Sequence, residues 1–397
     1  MTFSHRDMCA ISGIGATEFS RKSGRSVASL ATEACLAAIG DAGLVPSDID
    51  GLVRSDYDLV QHNDMAYALG LTDVAYWGVT GLGGAAPCGM VGQAVAAVLS
   101  GQATNVLVYR ALNGRSGLRF GRGTGIQQTG GASRVGGGGT YDEYFFPYGL
   151  LAPGQMFAMI ARRHMLDYGT TGDDLGRIAI TVRQRANANP AAMMVERPLT
   201  LDEYREARLI SDPLRLFDYC LESDGACAVV VTSTERAQDG PRPPALIRAV
   251  AQGGAPEVQG GKVFPSLMRQ TITTHPSKAT AQRLFSRAGM GPSDIDVAQI
   301  YDCFTITLLL ALEDYGFCAK GEGGPFASSG AIDMGGSLPI NTAGGNLSEA
   351  YIHGMNHVLE GVRQIRGDST SQVTGAQTCL VTSGIPVMSS ALILRGQ

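Results

Sequence analysis

The sequence predicts an α/β protein built from two related halves, and three observations carry that reading. A nine-residue frame occurs twice, as AGLVPSDID at 42–50 and AGMGPSDID at 288–296, the copies lying 246 residues apart. Each copy follows a stretch with apolar residues at helical spacing and runs into a short strand candidate. The composition is the third observation: 53 glycines in 397 residues, about twice the usual ~7%, with 17% charged residues, suit tight helix–sheet packing and a large subunit interface. A shared frame with matching flanks favours duplication over a chance recurrence of a Pro-Ser-Asp cap.

In chain order, Val27, Leu30, Ala31, Ala34, Cys35 and Ala38 form one face of a helix, and Gly43 suits the positive-φ position after its end. Gly51-Leu52-Val53 starts a strand. Met90 to Ser100 reads as a helix and Asn105 to Tyr109 as the strand after it. Residues 111–139 are glycine-rich, carry Arg115, Arg119, Arg122 and Arg134 and lack periodicity. No strand–GxxxxGK–helix frame surrounds them, so the expectation is a long loop or interface arm, not a phosphate cradle. Within 155–210, QMFAMIARRHM and GDDLGRIAITVRQRA are helix-patterned and read as a cap inserted into the first half. ACAVVVT at 226–232 is a buried strand entered through Asp224-Gly225. The second copy repeats the opening pattern: Ala281, Leu284, Phe285 and Ala288 on one helix face, Gly289 after it, then the strand Val297 to Ile300. Ala391 to Leu394 is a final strand. The expected division is 1–235, including the insertion at about 111–210, and 236–397.

A net charge of −5 with no basic tract excludes a nucleic-acid footprint. The longest apolar runs, such as Ile306 to Leu312, fall far short of the roughly 18 residues that span a bilayer. The first residues show no basic region followed by an apolar core, so no signal peptide is read and a cytoplasmic location is expected. Eight cysteines without a CxxC pair are expected to be reduced thiols, and the six histidines and eight cysteines never cluster at ligand spacing, so no metal is expected in this chain.

The stretches APGQMFAMIARRHM, ANANPAA, SDPLRLFDYCLESDGACAVVV, YDCFTITLLLALEDYGF and PINTAGGNLSEAYIHG spread over most of the chain. Through them the sequence resembles the thiolase superfamily, in its lipid-transfer-protein or sterol-carrier-protein-X branch. The resemblance implies two mixed-sheet halves stacked in five layers, αβαβα, commonly as dimers.

A thiolase needs a Cys at a helix N-terminus, where the dipole and backbone N–H groups favour the thiolate. It also needs a His in a Gly-His-Pro loop and a second Cys, or an equivalent, to move the substrate α-proton. Counting back from the helix end at Ser100-Gly101-Gln102 puts the nucleophile position on Ala85, or on Gly84 with one residue of slack; Pro87 suits the first helical turn. Cys88 lies one turn inside, where a thiol is ordinarily a small core residue. The alternative is that Cys88 is a shifted nucleophile and the protein an acyl-CoA acyltransferase. The Asn-x-x-Gly-Gly…Gly-His pattern maps onto Asn341, Gly344, Gly345 and Ala350-Tyr351, so Tyr351 replaces the catalytic His. The branch motif His-Asp-Cys-Phe is Tyr301-Asp302-Cys303-Phe304 here. Cys379 maps near the proton-shuttling Cys and reads equally as a buried strand thiol; Cys303 reads as core. His353 and His357, four apart, read as one helix face, solvated or core-satisfying.

These departures agree with the thiolase-like aldolases that cleave CoA-activated steroid side chains. That resemblance implies a lyase acting on a β-hydroxyacyl-CoA with a tertiary alcohol, giving a ring ketone and a short acyl-CoA such as propionyl-CoA. A retro-aldol step forms no covalent intermediate, which accounts for the missing Cys. Tyr351 is assigned as base and Tyr301 as enolate donor, with the exchanged roles left open; Cys379 is a third catalytic candidate, and Asp302 and Asn341 hold the loops. CoA enters as part of the substrate, with no covalently bound cofactor. The expected assembly is a homodimer core with a small partner carrying a zinc ribbon and an OB-fold. A non-catalytic acyl-CoA or lipid-binding protein is the remaining alternative.

Overall fold

A computed structural model describes residues 5–117, 145–254 and 264–397. The chain opens with β1 (Cys9–Ala16), α1 (Val27–Asp41), β2 (Gly51–Ser55), α2 (His62–Leu69), β3 (Tyr76–Thr80), α3 (Ala86–Leu99) and β4 (Val106–Asn113). The insertion supplies α4 (Pro153–Tyr168), α5 (Gly172–Asn187), α6 (Leu201–Glu206) and the strands β5 (Leu209–Ser211) and β6 (Leu214–Arg215). After β7 (Asp224–Ser233), α7 (Thr234–Gln238) and β8 (Ala245–Gly254) come α8 (Ser277–Ala288), β9 (Val297–Gln299), α9 (Thr305–Asp314) and α10 (Gly323–Ser328). Helix α11 (Met355–Arg366) and the hairpin β10 (Thr378–Ile385) and β11 (Met388–Arg395) close the chain. The expected arm over 111–139 starts as strand, since β4 runs through Asn113; from residue 118 onward it lies outside the described residues.

Nine strands follow the order β3-β2-β4-β7-β1-β8-β11-β10-β9. β2 runs parallel to β3 and β4, and β9 parallel to β10; the other neighbours are antiparallel. β1 and β8 share only the pairs Ala10↔Leu246 and Ile11↔Ala245, so this seam divides the ladder into two half-sheets. Side chains on a strand alternate between faces, and the core divides accordingly. Val106, Val108, Val229 and Val231 join Leu392 and Leu394 in a central core with α3 and α11. Leu107, Tyr109, Ala228 and Val230 turn the other way onto α1 and α2. Ala391 and Ile393 face α8 and α9. The result is the αβαβα stack expected from the resemblance.

The repeated frame has a local physical cause. Gly43 and Gly289 take positive φ (+74° and +67°), and each is followed by a 3₁₀ turn, Pro46–Asp48 and Pro292–Asp294. The first Asp caps its own turn: Asp48 accepts from Val45 N at 2.9 Å and Asp294 from Gly291 N at 2.7 Å. The second Asp clamps the entry to the neighbouring parallel strand. Asp50 accepts from Thr104 and Asn105 N just before β4, and Asp296 from Gln377 and Thr378 N at the start of β10.

The cap packs where sequence order does not place it. Inserted in the first half, α4 and α5 bury Phe157, Ile160, Leu175, Ile178 and Val182 against Leu308, Leu309 and Leu310 of the second half. The Phe157 and Phe304 rings stack with centroids 4.4 Å apart. This places the cap over the loops that follow β9 and precede α11. No helix among the described residues is long and apolar enough to cross a membrane.

Candidate active site

A cavity of about 880 Å³ lies between the cap, the start of α3, the residues after β9 and the segment leading into α11. That volume is at the upper end for small-ligand sites. Its lining is mostly apolar, with Met156, Phe157, Met193, Leu216 and Phe217, but includes Arg21, Arg115, Arg183, Arg197 and Arg208 against one carboxylate, Glu222. Such a site can take a large apolar body with an anionic tail.

Tyr301 and Tyr351 converge inside it, their hydroxyl oxygens 3.1 Å apart. Each backbone is fixed by a hydroxyl acceptor: Tyr301 N donates to Thr382 Oγ1 at 2.9 Å and Tyr351 N to Ser223 Oγ at 3.0 Å. Burial pushes both phenols well above their ordinary value. On Tyr351 the Tyr301 hydrogen bond and the Arg110 charge act against burial, whereas the Tyr351 partner raises Tyr301 further.

Asp302 and Asn341 hold the supporting loops. Asp302 accepts from Asn346 N at 2.8 Å, Leu347 N at 3.3 Å and His357 Nε2 at 2.9 Å. Asn341 bonds both backbone groups of Ile300, accepting from N at 2.7 Å and donating to O at 2.9 Å. Gly345, at φ +55°, passes so close to Asp302 that a Cβ there would lie 2.3 Å from Oδ2. These bonds tie the Tyr301 segment to the segment leading to Tyr351.

Where the resemblance implies the thiolase nucleophile, Gly83 to Ala85 form a 3₁₀ turn ahead of α3. Gly83 and Gly84 line the cavity, and Ala85 is the residue from which α3 starts. Cys88 faces β10 instead, with Sγ 3.3 Å from Ser383 Oγ and 3.4 Å from Val381 O, and burial pushes its thiol up to about 12. Cys379 sits as a buried strand thiol, the second of its two readings. It is buried beside Gly361 of α11, and the cavity meets this strand at Ile385 and Pro386, six residues further on. Cys303 is buried but does line the cavity.

The two histidines need correcting, because they do not share a helix face. His357 lies on α11 and pairs with Asp302; His353 precedes Gly354, from which α11 starts, and has φ +53°. Its ring lines the cavity edge-on to Tyr351, centroids 5.0 Å apart, with Nδ1 2.7 Å from Arg110 Nη2. Sequence reading missed His353 and Arg110; four-residue spacing suggested a helix, and only the break at Gly354 separates the pair. Among the described residues no group of three or more His, Cys, Asp or Glu side chains is arranged to hold a metal ion.

The fold and this site define a thiolase-type double fold with glycine at the pocket edge of the nucleophile turn and two tyrosines facing each other across the pocket. Residues 265–395 match the family described as thiolase C-terminal domain-like. The chain is 47% identical to a steroid side-chain-cleaving aldolase of Thermomonospora curvata, over 97% of each protein. It is 44% identical to the 17-hydroxy-3-oxo-4-pregnene-20-carboxyl-CoA lyase of Mycobacterium tuberculosis, over 97% of this chain and 98% of the relative. Among solved structures it superposes on the Ltp2-ChsH2(DUF35) aldolase with a TM-score of 0.91 and 44% identity, over 98% of each chain. The chain belongs to the family of thiolase-like steroid side-chain aldolases.

Proposed function

We propose that the protein is a lyase cleaving a steroid side-chain β-hydroxyacyl-CoA thioester by a retro-aldol step, to a ring ketone and a short acyl-CoA such as propionyl-CoA. The observation that carries this is the Tyr301–Tyr351 hydroxyl pair, 3.1 Å apart inside the cavity. The relatives' names, one an aldolase and the other a CoA lyase, support it.

In this reading Tyr351, as phenolate, takes the proton of the tertiary hydroxyl. The O–H electrons form the ketone, the carbon–carbon bond breaks, and its electron pair passes into the thioester enolate. Tyr301 donates to the enolate as charge builds, and the Tyr351 phenol returns its proton to the enolate α-carbon. Burial opposes the phenolate, while the Tyr301 hydrogen bond and the Arg110 charge favour it. The apolar lining suits the sterol rings and the arginines the phosphates of CoA. Acyl transfer through Cys88 lacks support, because its thiol is buried and unactivated.

The assembly proposed is a homodimer core with a DUF35-type partner of zinc-ribbon and OB-fold architecture. The pairing in the matched Ltp2-ChsH2(DUF35) aldolase supports such a partner. The test is mass spectrometry of a tertiary β-hydroxyacyl-CoA steroid incubated with the protein, with and without that partner. Equal amounts of ring ketone and propionyl-CoA are expected. Acyl transfer to free CoA without ketone would overturn the reading.

A further inference from the structure

Behind Tyr351 lies a buried charged chain, of which the two-tyrosine reading uses only the charge of Arg110. Arg110 on β4, Asp58 after β2, and His353 are 0%, 3% and 4% exposed. Asp58 Oδ1 accepts from Arg110 Nη1 at 2.5 Å and from Ala111 N at 2.9 Å, and Oδ2 from Ser55 N at 2.9 Å. Arg110 thus cannot turn away from His353. A guanidinium has donors and no acceptor, so its 2.7 Å contact with His353 makes Nδ1 the acceptor. The ring proton is then on Nε2.

We propose that His353 is a further catalytic residue: a neutral imidazole whose Nε2–H donates to the thioester oxygen as the enolate forms, with Arg110 and Asp58 as positioning residues. The proposal rests on the retro-aldol reading above. Its placement argument is the glycine pair. A Cβ at Gly83 would lie 3.2 Å from His353 Cε1, and one at Gly84 would lie 2.0 Å from Tyr301 Oη. His353 and Tyr301 therefore flank the same turn at the start of α3, the helix end that favours negative charge. An enolate oxygen seated there meets a phenol from one side and an imidazole from the other. Burial and then the Arg110 charge hold the His353 imidazole well below its ordinary value, so the ring donates without carrying charge. The left-handed backbone at His353, φ +53°, aims the ring at the cavity.

The test uses the full chain with its partner protein and two readouts: kcat for cleavage, and exchange of the α-protons of propionyl-CoA for deuterium, which isolates enolate formation from hydroxyl deprotonation. His353→Asn keeps an acceptor for Arg110 and tolerates positive φ, but has no atom where Nε2 stood. Both rates should fall about 10²–10³-fold with KM little changed, as for loss of one oxyanion donor. His353→Gly, which takes this backbone without strain, should fall likewise and recover in part with added imidazole. Unchanged exchange in a folded His353→Asn protein, or no imidazole recovery in His353→Gly, would overturn the proposal. A wild-type protein that exchanges α-protons yet cleaves no β-hydroxyacyl-CoA would instead count against the aldolase reading alone.

Discussion

A methyl group on Gly84 would sit 2.0 Å from the hydroxyl oxygen of Tyr301. At Gly84 a side chain and Tyr301 compete for one volume, so this position has to be glycine while Tyr301 stands where it does. Gly84→Ala should displace the Tyr301 ring from Tyr351. Misplacing a catalytic group by about 1 Å can cost about 10²-fold, and steady-state cleavage with circular dichroism as a fold check measures it. Wild-type kcat in Gly84→Ala would mean that Tyr301 is not needed where it stands.

Removing one hydroxyl at a time tests the pair. Tyr351→Phe preserves the ring packing and should lower kcat by about 10²–10⁴-fold, the range for proton transfer by a placed side chain. Tyr301→Phe should be the milder change, since it removes a donor to the enolate and not the base. A larger loss at Tyr301 than at Tyr351 would exchange the roles.

Cys88→Ala should leave kcat unchanged and lower stability by about 1 kcal/mol, the usual size for one altered core residue. Iodoacetamide should likewise leave Cys88 unalkylated, read by mass spectrometry of its peptide, because burial holds the Cys88 thiol near 12 and out of reach. Loss of activity in Cys88→Ala would revive acyl transfer.

Glu349 links the loop between the tyrosines to pH. Burial raises its carboxyl from 4.5 to about 7, against the lowering effects of Arg363 and Asn356. The folded state then binds more protons than the unfolded state between those values, so the stability Glu349 contributes is full below about pH 4.5 and lost as pH rises through 7. Glu349→Gln removes that titration. Its melting temperature should fall less than that of the wild type between about pH 5 and 8; parallel curves would show that Glu349 does not titrate there.

Much of the fold was legible because it is local. Asp48 and Asp294 cap turns three residues long, and Asp50 and Asp296 bond the strand next door. Such bonds need particular residue types at set spacings, and these survive in the sequence as the repeated frame. Cys379 stayed open between proton shuttle and buried strand thiol because a motif near the right strand does not say how far along it the pocket lies. His353 was missed for a related reason: its partner, Arg110, is 243 residues away.

By itself, the sequence determined the duplicated α/β halves, and it put two tyrosines in play near where the resemblance implies the catalytic groups of a thiolase. Each of those follows from residue type and short-range spacing. Only the tertiary structure decided that the first-half insertion roofs the second half, that Gly84 leaves room for Tyr301, and that a buried arginine holds His353 beside Tyr351. Those outcomes depend on which surfaces meet when distant segments bury their apolar faces together, and no local spacing encodes that meeting.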